Sequence, residues 1–253
     1  MRPLLVVALL AVLSACDRGP VAEARPQAKA PAASRQPFVG KVFEAAYASD
    51  LCHMTSADWD ARSSGGTAKP QATPRSLEPP LLASTQGRAR RQGDALIISG
   101  ARFADSGEEG DTAVAFSYAG RLPNAPFDVV HGAHWEWTTW YLVDAKGKQG
   151  GFGGPPVASP DGRAFAATGD DVEGESMNGV QIATYANGVF ASVDLDAFAA
   201  CDPRWIDNDT LEVKVLREAV RDLAATPAVK PSDWRAVRIV RDGKGWKFAS
   251  PAA

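Results

Sequence analysis

Apolar and polar positions alternate with period two over much of this chain. The clearest case is Leu211-Glu212-Val213-Lys214-Val215, apolar against charged, the pattern of a half-buried strand. Short apolar runs at 95–98, 113–116, 127–130 and 135–143, bounded by Gly, Asn, Asp or Pro, read as further strands. Within the last run, Trp135, Trp137, Thr139, Tyr141 and Val143 fall on one face, expected to be buried. His134, Glu136, Thr138 and Trp140 fall on the other. Residues 237–241 and 245–248 predict a closing hairpin around Asp242-Gly243. Helical spacing is rarer. Val39, Val42, Phe43, Ala46, Tyr47 and Leu51 predict one short amphipathic N-terminal helix over 38–51, and 217–225 can form a short helix before Pro227. Turn signals every 8–12 residues from residue 88 onward predict a mostly β body ending at 253.

The centre of that body carries a recognisable punctuation. Ser159-Pro160-Asp161-Gly162 is a turn in which proline presets the backbone and Asp and Gly suit the next two positions. After it come an apolar run at 164–168, an acidic glycine-rich loop at 169–179 and a second run at 180–185. Upstream, Leu142-Val143-Asp144 leads to Gly147-Lys148. Downstream stands Pro203-Arg204-Trp205-Ile206-Asp207-Asn208-Asp209. Across 135–215 this order resembles the blade repeats of TolB-like and WD-repeat-like β-propellers. The resemblance implies antiparallel, blade-like sheets and leaves function open, since one fold hosts many. At about 40–45 residues per blade, residues 90–250 hold at most four blades. A partial propeller or a β-sandwich is therefore expected rather than a closed ring.

The N-terminus changes the picture most. Arg2 followed by an apolar run over 4–13, too short to span a bilayer, reads as a signal peptide over 1–15. Its end, Leu13-Ser14-Ala15-Cys16, resembles the lipobox of bacterial lipoproteins, which implies cleavage before Cys16 and acylation of that residue. Several acyl chains at ~0.8 kcal/mol per buried CH₂ anchor a protein stably. Asp17 resembles an inner-membrane retention signal of enteric lipoproteins, and the outer membrane stays open as the alternative. Residues 16–36 are Ala- and Pro-rich, a disordered tether able to reach ~60 Å. A helical segment is expected over 37–61, a flexible loop over 62–87, and the all-β domain over 88–253.

Candidate chemistry is sparse. The chain has a net charge of −3, no footprint for nucleic acid. Once Cys16 is acylated, Cys52 and Cys201 form an even pair in an exported protein, which predicts a disulfide. His131, His134 and Glu136 suggest a metal-dependent envelope enzyme as one alternative. The spacing at 169–175 does not match a calcium loop, and Gly150 to Gly154 lacks a dinucleotide spacing and reads as a flexible loop. Residues 174–178 lack the last glycine of a nucleophile elbow. No catalytic residue and no cofactor are predicted.

What remains is a lipid-anchored envelope binding protein acting through a protein partner. One version is an inhibitor or immunity lipoprotein that neutralises a peptidoglycan hydrolase. The candidate binding residues are Asp170, Asp171, Glu173, Glu175 and Met177 in the acidic loop, with Trp205 in a neighbouring turn. The loop at 147–154 is a further candidate.

Overall fold

Four antiparallel meanders follow one another along the chain in the computed structural model. It describes residues 77–249 except 107–111, 135–136, 171–177, 198, 217–229 and 244. By its contacts the chain divides into Met1–Ser34 and Arg35–Ala253, and all described residues belong to the second unit. The first sheet has β1 (Ala89–Gln92), β2 (Ala95–Ile98) and β3 (Ala101–Ala104). The second has β4 (Val114–Arg121), β5 (Asp128–His134), β6 (Thr138–Val143) and β7 (Gln149–Phe152). The third has β8 (Val157–Ala158), β9 (Ala164–Asp170), β10 (Asn178–Ala186) and β11 (Val189–Leu195). The fourth has β12 (Ala200–Trp205), β13 (Thr210–Leu216), β14 (Trp234–Asp242) and β15 (Gly245–Phe248). Within each sheet, every strand pairs with its neighbour in sequence. Two-residue loops at Ser99-Gly100 and Asn187-Gly188, each with both φ positive, match the right-handed twist of the strands they join.

The sheets pack face to face in chain order, because the inner ones are apolar on both sides. On β6, Val143 and Tyr141 face the first sheet beside Phe103 and Leu96. Trp140 and Leu142 face the third, beside Phe165 and Ala183. A third cluster joins Ile182 and Ala166 to Leu211, Val213, Ile239 and Trp246 of the fourth sheet. Phe127 meets Phe165 edge-on with centroids 5.0 Å apart and Tyr185 at 4.9 Å. This is the antiparallel, blade-like arrangement expected from the strand pattern, a mostly β fold with an open stack of sheets.

The stack has an end for a physical reason. On β13, Leu211, Val213 and Val215 point inward, whereas Glu212 and Lys214 point away from the third sheet. Glu212 pairs there with Arg204 and Arg238, and Lys214 pairs with Asp202 at 2.6 Å. Such exposed pairs contribute little stability. They do make the face a poor seat for another apolar sheet.

Several expectations change. The flexible loop expected over 62–87 contains helix α1 (Glu78–Ala83), started by Pro79 and Pro80 and packed through Leu81 and Leu82 onto the first cluster. The glycine run at 150–154 is not simply a loop, since 149–152 form β7. A Cβ on Gly150 would stand 2.6 Å from the Phe190 ring, so that glycine makes room for an aromatic from the next sheet. The run 135–143 is not one strand. His134 ends β5, the chain reverses, and β6 begins at Thr138. The helices expected at 38–51 and 217–225 lie outside the described residues.

Candidate binding surface

Strand reversal sorts the connections onto two ends of the stack. At one end sit the turns at 99–100, 122–127, 144–148, 159–163, 187–188, 206–209 and 243–244. Several of them touch from sheet to sheet. A Cβ on Gly147 would lie 2.8 Å from the Ser99 carbonyl, and one on Gly162 2.5 Å from that of Asn124. The Asp161 amide donates to Asn208 Oδ1 at 3.0 Å, and within the fourth sheet Arg241 pairs with Asp209 at 2.9 Å.

This end is built from the very residues that carry the blade resemblance. The Ser159 hydroxyl donates to Asp161 Oδ1 at 2.6 Å and accepts from the Ala164 amide at 3.0 Å. The Gly162 amide closes the turn on the Ser159 carbonyl at 2.9 Å. Burial pushes the Asp161 carboxyl up, but the Ser159 hydroxyl, the Arg163 amide and two arginine charges hold it below its ordinary value. Asp144 behaves alike. Burial raises its pKa, while the Tyr185 hydroxyl and the amides of Lys148 and Lys146 donate to its carboxylate and hold the pKa below its ordinary value. Both motifs are therefore joints between sheets. Trp205, expected among the binding residues, is also used internally. Its indole N–H donates to the Val157 carbonyl at 3.1 Å and its ring meets Trp246 edge-on at 5.5 Å.

The other end carries the strand ends that border the connections at 105–113, 135–137, 153–156, 171–177, 196–199 and 217–233. Here β9 and β10 finish on the pair Asp170 and Asn178, which frames the acidic loop. Asp171, Glu173, Glu175 and Met177 lie outside the described residues. The frame itself is held closely. The Gly153 amide donates to Gln181 Oε1 at 3.2 Å, and Cβ atoms on Gly154 and Gly179 would fall 2.1 and 2.5 Å from backbone oxygens of Thr168 and Leu195. The three loops singled out in the sequence thus do not converge. Asp170 and Asn178, which border the acidic loop, stand at this end, the Trp205 to Asp209 turn at the opposite one, and 147–154 runs between them.

The same end exposes an aromatic shelf that strand parity hides. Trp137, expected on a buried face, is 37% exposed and stacks on the His134 imidazole at 3.4 Å and 7°. A His134 ring nitrogen and Thr139 Oγ1 are 3.1 Å apart, fixing the shelf on β6. Burial holds His134 below its ordinary pKa. The apolar run at 135–143 carried no Gly, Pro, Asn or Asp that would have marked this break.

His131 does not join this shelf. β5 pairs regularly through residues 131–133, so His131 and His134 leave opposite faces of the strand. His131 is fully buried, 4.6 Å from the Trp140 ring. Burial, with the nearby His134, pushes its pKa down to about 3. The two imidazoles accordingly do not converge on one ion, and Glu136 lies outside the described residues. Among the described residues no group of three or more His, Cys, Asp or Glu is placed to hold a metal.

Cys201 is disulfide-bonded. The expected partner, Cys52, lies outside the described residues, as does Cys16. No protein-family model, curated protein or solved structure matches this chain.

Proposed function

We propose that this chain is a lipid-anchored envelope protein, facing the periplasm, that acts by binding another envelope protein. The observation that carries this reading is the segregation of the two ends. One is consumed by joints between sheets. The other combines an exposed tryptophan shelf with the frame of an acidic loop, on a scaffold tight enough to hold both in place. Loops on a rigid stack can vary without disturbing the core, and exposed aromatics are favoured anchors at interfaces. An acidic rim steers a basic partner and raises its association rate. The partner expected is therefore a basic envelope protein, which includes a wall hydrolase among its candidates. A metal-dependent reaction through His131 and His134 is not favoured, because their side chains diverge.

The anchor is tested separately. Cys16→Ala is expected to leave an unprocessed precursor and to abolish acyl labelling, read by fatty-acid labelling and mass spectrometry. A normally processed, soluble product from that variant would reject the lipoprotein assignment. The binding end is tested by site-specific photo-crosslinking in cells, from residue 137 against residue 207.

A further inference from the structure

The outer face of the fourth sheet is charged across its middle but not at one corner. Cys201 stands opposite Lys214 on β13, and Lys214 points away from the apolar interior. Cys201 therefore leaves the same outer face, at the end that carries the acidic loop. On the next row Leu216 pairs with Trp234, also on that face. These residues are only 6%, 5% and 8% exposed, and none belongs to the described apolar clusters between sheets. A sheet face that ends a stack is thus dry at the one corner where a disulfide leaves it.

We infer that this corner is the seat of the chain's own N-terminal segment, residues 38–52, locked there through a Cys52–Cys201 disulfide. Three observations select this occupant. Cys201 is bonded, and the chain offers only Cys16 and Cys52 as partners. The segment carries an apolar stripe of Val39, Val42, Phe43, Ala46, Tyr47 and Leu51 ending at Cys52, the right chemistry for a patch of Leu216 and Trp234. Its carboxylates, Glu44 and Asp50, suit a rim where Arg204, Lys214 and Arg238 outnumber Asp202 and Glu212.

Length permits it. The chain must still return from the fourth sheet to α1 beside the first. Three inter-sheet spacings amount to ~30 Å, and about 25 extended residues span up to ~80 Å. The consequence is architectural. The stack is finished by its own N-terminus, clasped on the last sheet, instead of by ring closure onto the first. The choice of Cys52 over Cys16 rests on the lipidation proposed above.

The test is disulfide mapping and amine cross-linking of the full mature chain, released in detergent without reductant. The expected result is a Cys52–Cys201 peptide together with a Lys41–Lys214 cross-link, with the cross-link falling at least fivefold in the Phe43→Asp variant. A Cys16–Cys201 peptide would overturn both this inference and the lipid anchor. A Cys52–Cys201 peptide accompanied by an unacylated Cys16 would overturn the anchor alone. A Cys52–Cys201 peptide with Lys41 linked only to lysines away from the fourth sheet would overturn the docking.

Discussion

Replacing Glu78 with alanine is expected to lower the stability of the folded body by about 3 kcal/mol, the range for removing one partner of a buried ion pair. Glu78 is 4% exposed and belongs to a helix of only six residues. A helix that short has no stability of its own. What fixes it is where its carboxylate goes. Oε2 and Oε1 accept from Arg91 at 2.8 and 3.1 Å, and Oε1 also accepts the Tyr118 amide at 2.7 Å. Asp105 accepts the Phe116 amide at 2.7 Å, and Arg91 donates to the Phe116 carbonyl. Together they satisfy the free backbone edge of β4, where no further strand pairs along these residues among the described ones. Alanine would strand the Tyr118 amide and part of the Arg91 charge in a site with little water. Urea unfolding of wild type and Glu78→Ala would measure it. A loss below about 1 kcal/mol would show that this edge does not depend on Glu78.

Acid is expected to destabilise the protein before its carboxylates titrate, and His131 supplies the cause. Its pKa is about 3 when folded against an ordinary 6.5. The unfolded chain therefore binds this proton first as pH falls, so stability declines below 6.5 and continues to fall toward the folded value. By about pH 5 the loss is about 2 kcal/mol, at about 1.36 kcal/mol per unit. His134, also held low by burial, acts in the same direction. The contributions of Asp144 and Asp161 disappear only lower, as pH falls below the ordinary carboxyl value. Unfolding free energies of wild type and His131→Gln between about pH 7 and 5 would separate them. The variant should be weaker throughout but should lack most of the slope. Parallel curves would mean that His131 is not the acid-sensitive group.

These two sites divide what could be read from the sequence from what could not. The alternation at 211–215 survives intact as β13, and the hairpin at 237–248 forms around Asp242-Gly243, because both are set by local pattern. The Ser159 to Gly162 turn is equally local, since its hydrogen bonds are nearly all between near neighbours in sequence. Glu78 was invisible for the opposite reason. Its flanking prolines read as loop, and its partners lie 13 and 40 residues away. Gly150 carried no local signal either, because what it accommodates is the Phe190 ring of another sheet. Trp137 was misplaced by parity, which fails wherever a turn interrupts an apolar run. The candidate site was legible as a set of loops, but their division between two ends follows from strand direction and needed the topology.

The central claim is that one end of the stack binds and the other only holds it together. A photoreactive residue at position 137, on the exposed shelf, and another at position 207, in the jointed turn, test it in living cells under identical expression. A discrete envelope-protein adduct is expected from position 137 and none from position 207. The same adduct from position 207, or from neither position in a correctly lipidated and folded protein, would contradict it.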